Sequence, residues 1–317
     1  MNGTCGCLLT FHRAAASAAW ADLPNREFYL DAGFLERLLE TLRARRWDVV
    51  TMEEAVRRTA RGDGSRFVNI SVDDVYRDTH EIVVPIFQRA GVPVTLFVTT
   101  GIPDGTFCLW GAGLETMLAE LTMLAVPDGA GSTMLHLHNA AARRSAFAVL
   151  QSAWEKTEAE PIYRQLCALN GYDPTELHNR HAISWEMLKF LRHNPCVEIG
   201  AHTVRHPHVA ALSPSDALSE IAGSRARLQA ELGIEVRHFA FPFGRAADCG
   251  PRDFALVREA GFVSSATTRK GLLRAGKGFD PFALPRNTLN GAHRRTGQAS
   301  FHLSGLSGLA GRLLRAS

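Results

Sequence analysis

The amino-acid sequence predicts an α/β fold, a parallel sheet or barrel of βα units interrupted once by a mainly helical insertion. Two observations carry this. Short runs rich in β-branched and aromatic residues alternate with longer amphipathic segments whose apolar residues recur at helical spacing. That alternation, the mark of parallel strands joined by crossover helices, stops at residue 101 and resumes at 184.

In chain order, CLLTFH (7–12) reads as a short buried strand. Over residues 31–47, Phe34, Leu35, Leu38, Leu39 and Leu42 fall on one helical face. WDVVTM is a strand, EEAVRRTARG a helix closed by Gly62, and RFVNISV a strand. HEIVVPIFQRAG is a helix with Gly91 beyond its end, and PVTLFVTT a strand with Pro93 at its start. Within 101–183, a turn-rich GIPDGTFCLWGAG leads into helical stretches around a short STMLHLHN piece. The rhythm returns with SWEMLKFLRHNP (helix), CVEIGAH (strand), a long helix, VRHFAFPFG (strand and loop), PRDFALVREAG (helix) and FVSSATT (strand). The long helix starts at Pro214, with Ser213 as its N-cap, Asp216 in the capping-box position and Gly233 beyond its end. The tail, 301–317, is weakly amphipathic. With no repeat and no long linker, residues 1–317 read as one domain carrying an insertion at 101–183.

The 317 residues are 46% hydrophobic and 21% charged, an ordinary globular composition that suffices for one large α/β domain. The net charge of +3 is spread along the chain, and RARR (43–46) sits in a helical pattern as a solvated face, so no nucleic-acid partner is expected. No apolar run approaches about 18 residues, which predicts no transmembrane helix. The N-terminal stretch lacks a basic region, and Asn2, Thr4 and His12 interrupt its apolar core, so a cytoplasmic location is expected. The six cysteines are scattered apart from Cys5 and Cys7, and are expected to be free thiols.

Two motifs fall at the C-terminal edge of predicted strands, where barrel active sites lie. SVDD ends an apolar strand in adjacent carboxylates, Asp73 and Asp74, and buried charges are costly unless paired or metal-bound. HTVRH places His202 and His206 four residues apart, on one helical face or converging in a folded-back loop, and Pro207 argues against a helix running through His206. Two histidines and a carboxylate are a common catalytic zinc set that leaves one position open for water. Taken locally, a plain turn and two structural histidines remain the alternative. His136 and His138 read as the exposed face of a strand, and Trp110, Trp154 and Trp185 as packing.

SVDD at 71–74, HTVRH at 202–206 and FAFPFG at 239–244, in this order, resemble the first three motifs of the polysaccharide deacetylase family, the NodB-homology or carbohydrate esterase family 4 enzymes. LLTFHR, PVTLFVTTGIPDGT and FALPRNTLNG agree with the branch whose third motif reads F-A-Y-P-F-G. The resemblance covers most of 7–100 and 181–290 and leaves the insertion unexplained. It implies a distorted (β/α) barrel of about seven parallel strands. It implies that Asp74, His202 and His206 hold a divalent metal, most often Zn2+, and that Asp73 is the general base. Pro242, Phe243 and Gly244 would wall the sugar groove, and Thr203, counted with them on the substrate side, would steady the loop between the histidines. The family's late Leu-x-His motif has no clear counterpart, because FHL at 301–303 stands in the wrong context. Some relatives take that acid from an N-terminal L-x-[YF]-H strand, which makes His12 the candidate general acid. Arg286, in LPRN, is the candidate for orienting Asp73.

The implied activity is metal-dependent hydrolysis of acetyl groups on an N-acetylated, or O-acetylated, saccharide. The metal polarises the acyl carbonyl, Asp73 takes the proton of the attacking water, and a histidine protonates the leaving amine. One departure stands out: Val75 occupies the place of a family glycine, and a β-branched residue is strained there if φ is positive. Two further readings therefore stay open, a carbohydrate-binding relative with weak or no hydrolysis and a same-fold amidohydrolase for a non-sugar amide. Sugar, linkage and oligomeric state are not set by the sequence.

Overall fold

The computed structural model describes residues 4–304 except 63, 130, 155–158, 277 and 294. Strand β1 (Thr4–Phe11) leads to β2 (Arg13–Ala15), helix α1 (Ser17–Trp20), β3 (Tyr29–Asp31), α2 (Ala32–Ala44), β4 (Asp48–Val49), α3 (Met52–Arg61) and β5 (Phe67–Asp74). A π-helical turn (Thr79–Val83) runs into α4 (Val84–Ala90), followed by β6 (Val94–Val98). Residues 101–183 hold α5 (Trp110–Glu120), a hairpin of β7 (Met123–Asp128) and β8 (Gly131–His136), then α6 (Ala140–Trp154), α7 (Ala159–Asn170) and α8 (Pro174–His181). The chain returns to the sheet through α9 (Trp185–Leu191), β9 (Val197–Ala201), α10 (Pro214–Leu232), β10 (His238–Ala240), α11 (Pro251–Glu259) and β11 (Ser264–Ala266). Short strands β12 (Leu273–Arg274) and β13 (Asn287–Thr288) precede α12 (Thr296–Leu303).

From β11 through β10, β9, β6, β5 and β1 to β13, seven strands run parallel, with β12 antiparallel beside the start of β1. The sheet curls as a distorted barrel, as predicted. One irregular segment spans its two edges. Leu284 exchanges backbone bonds with Ser265 and Thr267 on the β11 side (3.0 and 2.8 Å), and Leu289 N–H bonds Thr10 of β1 (2.7 Å). Arg286 lies between these anchors. All eight residues of β5 are buried, as expected of a central parallel strand covered on both faces. Helix α2 buries Phe34, Leu35, Leu38, Leu39 and Leu42, the predicted face, each side chain contributing about 1.5–3 kcal/mol of apolar burial. Residues 101–183 carry a separate apolar cluster, in which Trp110 and Trp154 meet edge-on at 5.6 Å.

Some elements depart from expectation for local reasons. WDVVTM shortens to two strand residues because the Thr51 hydroxyl accepts Glu54 N–H and begins α3. The helix expected from His80 is α-helical only from Val84, next to Pro85. The β7–β8 hairpin was not foreseen, and His136 is exposed on it as expected. Ser213 and Gly233 cap α10 as predicted, Gly233 with φ +63°. Cys7, Cys108, Cys167, Cys196 and Cys249 are free. No helix among the described residues is long and apolar enough to cross a membrane. Residues 305–317 of the tail lie outside the described residues.

Gly200 marks a tight packing point beneath the site: a Cβ there would sit 2.6 Å from the Phe97 ring and 2.9 Å from the His238 carbonyl oxygen. Gly200→Ala is expected to cost about 1–3 kcal/mol by overpacking, read as a lower urea midpoint at unchanged slope.

Candidate active site

Strands β5, β6 and β9 end side by side, and their ends are tied together. Thr99 N–H bonds Asp74 O (3.2 Å), His202 N–H bonds Val98 O (2.9 Å), and Thr100 and Gly101 bond the carbonyls of Thr203 and Val204. This brings Asp74, His202 and His206 together, with one ligand atom of each within 4.8 Å of the others. The Nε2 atoms of His202 and His206 lie 3.5 and 3.3 Å from Asp74 Oδ1. His202 Nδ1–H donates to Ala240 O at 2.7 Å, which turns its Nε2 lone pair toward Asp74. Burial pushes both imidazoles down to about 4, against the pull of the nearby carboxylates, so they are neutral ligand-type nitrogens near pH 7. Asp74 Oδ1 is buried and lacks a hydrogen-bond partner among the described residues. A buried acceptor facing two neutral nitrogens is a costly arrangement that a divalent cation would complete, so the donor set fits the metal implied by the sequence.

Asp73 is held differently. Both of its oxygens accept from Arg286, at 2.6 and 2.8 Å, a bidentate pair. Burial opposes ionisation of Asp73, but the Arg286 guanidinium and His202 outweigh it and bring the carboxyl down to about 2. Asp74, without such a partner, is pushed up by burial. Arg286 also donates to Thr10 and Ser71 hydroxyls (3.1 Å each) and to Thr267 O (3.1 Å), and is fully buried. Its orienting role was expected; its position as the hub of the barrel interior was not.

His12, one residue past β1, stacks on Phe28 at 4.7 Å and stands close enough to Asp73, Asp74 and His206 to act on their charges. Phe243 is 40% exposed, tilts against His206 at 4.9 Å and stacks face to face on His208 at 3.7 Å. Pro242, the preceding residue, is buried. Gly244 has φ +67°, and a Cβ there would meet Thr268 N at 2.7 Å, so only glycine lets this loop close onto Thr268. Thr203 does not line a groove. It is fully buried, and its hydroxyl bonds His202 O and accepts His206 N–H (3.0 Å), so its polar atoms are used within the loop. His302 of FHL lies in α12 with Nε2 3.2 Å from His293 Nε2.

Several contributors were missed in the sequence. Glu220 of α10 accepts the N–H groups of Val204 and Arg205 (3.0 and 2.8 Å), pinning the loop between the histidines. Asp248 holds His208 Nδ1 at 3.0 Å, and Phe107 flanks His206 at 6.1 Å between ring centres. Their partners are distant in sequence, so no local pattern marks them.

The site is also where backbone strain collects. Asp74, Val75, Thr203, His206 and Phe243 have φ between +56° and +68°, and Arg46 is the remaining non-glycine in this region among the described residues. Val75 N–H bonds Asp73 O (2.8 Å), closing a tight turn centred on Asp74. The strain anticipated at Val75 is therefore present (φ +68°), and its side chain is fully buried in the main core.

Carboxylate, imidazoles and an arginine-held second carboxylate at the C-terminal ends of parallel strands define a hydrolase-type centre. A sequence profile of the family described as polysaccharide deacetylase matches residues 60–261. The chain belongs to the polysaccharide deacetylase family. It is similar in fold to a Streptococcus pyogenes deacetylase, PplD, solved with acetate (14% identity, TM-score 0.62), over 96% of this chain and 99% of that one. It is similar likewise to IcaB from Ammonifex degensii (17%, TM-score 0.60, 95% and 98% covered) and to a de-N-acetylase from Aggregatibacter actinomycetemcomitans (12%, TM-score 0.57, 93% and 99% covered). A search of curated protein sequences gave no match.

Two expectations follow for stability. A buried Val side chain is worth about 1.5–3 kcal/mol and a left-handed non-glycine residue costs about 1–2 kcal/mol. Val75→Ala keeps the strain and loses most of the packing, so it should fall by about 1–2 kcal/mol. Val75→Gly loses packing and strain together and should be no less stable than Val75→Ala, a reversed ranking that denaturant melts of the three proteins will check. Second, burial holds His181 at about 3 and His202, His206 and His302 at about 4, against 6.5 for an ordinary histidine. Between pH 6.5 and 4 the unfolded chain binds more protons, so the metal-free fold loses stability as pH falls through that window. The raised carboxyls of Asp74 and Glu115 oppose this with two groups against four. The melting temperature of the metal-free protein should be lower at pH 4.5 than at pH 7; an equal or higher value contradicts the assignment.

Proposed function

We propose that this chain is a divalent-metal-dependent deacetylase that hydrolyses acetamido groups on a saccharide. The observation that most supports this is the buried convergence of Asp74, His202 and His206 beside a separately ionised Asp73. A divalent ion held by that donor set, zinc being the commonest for it, supplies Lewis acidity that polarises an acyl carbonyl and eases deprotonation of water. Asp73 accepts the proton of the attacking water. Each of its oxygens keeps a lone pair beyond the Arg286 bonds, and Arg286 fixes the carboxylate plane toward the site. An amine leaves poorly unless protonated, and His12 is the group assigned to that proton transfer, stacked on Phe28 in a defined orientation. The exposed Phe243 ring, braced by His208, offers a flat apolar face against which a sugar ring packs while its acetamido group reaches the metal ligands. Val75 had favoured a weak or inactive relative. Its side chain is fully buried, so the strained turn after Asp74 is packed into the core.

The test is acetate release from an N-acetylglucosamine oligomer, with and without chelator, by wild type and Asp73→Asn. Chelation should abolish turnover and added zinc restore it, and the variant should bind zinc yet lose roughly 10²–10⁴-fold in rate. Full activity in chelator, or in Asp73→Asn, overturns the assignment.

A further inference from the structure

Arg13 follows His12 directly and is only 5% exposed. Its guanidinium lies between the rings of Tyr29 and Tyr76, at 4.6 and 4.4 Å. Arg13 Nε donates to Asp78 Oδ1 at 3.0 Å, and Ala14 N–H donates to the other oxygen at 2.8 Å. One carboxylate thus ties the chain just after His12 to the chain just after Asp74. The remaining donors of Arg13 face the insertion: Nη1 lies 3.8 Å from Glu115 of α5, and Nη2 lies 3.3 Å from His181 Nδ1 of α8. Glu115 also accepts the Tyr29 hydroxyl at 2.6 Å. A backbone bridge repeats the connection, Tyr76 pairing with Ala182 in antiparallel fashion, and the Arg77 side chain donates from Nη2 to Asn179 O at 2.9 Å.

We propose that Arg13 is a positioning residue through which the 101–183 insertion sets the geometry of the metal-binding turn at Asp74 and of His12. This rests on the reading of Asp74, His202 and His206 as metal ligands. Arg13 touches none of them; it acts through Asp78 and Tyr76. A planar guanidinium with fixed donors serves here where a lysine would not, because three polar partners and two rings must be met at once. The insertion is accordingly a clamp on the site. Its helices contribute a carboxylate and an imidazole that keep Arg13 in place, and the strained turn holding Asp74 is braced from outside the barrel.

Coupling between two regions is reciprocal, so occupancy of the metal site must in turn steady the insertion. Hydrogen exchange on the wild-type full chain, with and without zinc, reads this without any substitution. Amides of 113–119 and 178–183 should exchange more slowly with zinc, together with those of 199–206. Arg13→Lys and Glu115→Gln, checked for folding by circular dichroism, should bind zinc roughly 10–100-fold more weakly and lose kcat with KM within about twofold. Arg180→Ala, which removes exposed ion pairs with Glu120 and Glu176 on the insertion surface, should leave zinc affinity and kcat unchanged. Slowed exchange at 199–206 alone, or Glu115→Gln with wild-type zinc affinity, overturns the clamp and leaves the deacetylase assignment standing. A wild type that binds no zinc and releases no acetate overturns the assignment itself.

Discussion

A fully buried guanidinium paired with a buried carboxylate holds this molecule's chemistry in place. Arg286 and Asp73 are 213 residues apart, and their pairing draws β1, β5 and the β11 edge onto one centre through Thr10, Ser71 and Thr267. Such a pair is favourable only when geometry is good and the remaining donors are satisfied, and Arg286 meets both conditions. It also separates two adjacent carboxylates into two roles. Asp73 is stabilised as an anion by a fixed cation, whereas Asp74 is left without one and faces neutral imidazoles. Neighbouring residues of identical type therefore differ in charge environment because only one of them faces the barrel's closing segment.

The strained backbone around the site is offset by packing and hydrogen bonds rather than by glycine. Val75 is driven into the main core, the Thr203 hydroxyl bonds both histidine peptide units of its loop, and Thr268 holds the Phe243–Gly244 turn through two further bonds. Each device supplies a local gain against a local conformational cost of about 1–3 kcal/mol. The result is a set of ligand atoms whose directions are fixed before anything binds.

The parallel sheet was legible because β5, β6 and β9 are apolar runs of ordinary length separated by amphipathic helices, and the site was legible because SVDD and HTVRH break those runs at one end. Arg286 was readable only through the family pattern, since a lone arginine in LPRN carries no local sign of its partner. Arg13, Asp78, Glu115 and Glu220 escaped notice for the same reason: their bonds span 15 to 168 residues, and periodicity is blind to them. Strands β12 and β13 have two residues each, too few for any period to register. The β7–β8 hairpin stayed hidden because Leu124 alone of its strand residues is buried and neither strand alternates in burial.

Barrel closure by residues 284–289 has a consequence for biosynthesis. At about 5–20 residues per second, a ribosome delivers Arg286 roughly 10–40 s after Asp73. Throughout that interval the nascent polypeptide carries the carboxylate without its guanidinium, and β1 without its parallel neighbour β13. The paired arrangement of Asp73 therefore cannot form before residue 286 has been synthesised, however early the rest of the sheet assembles.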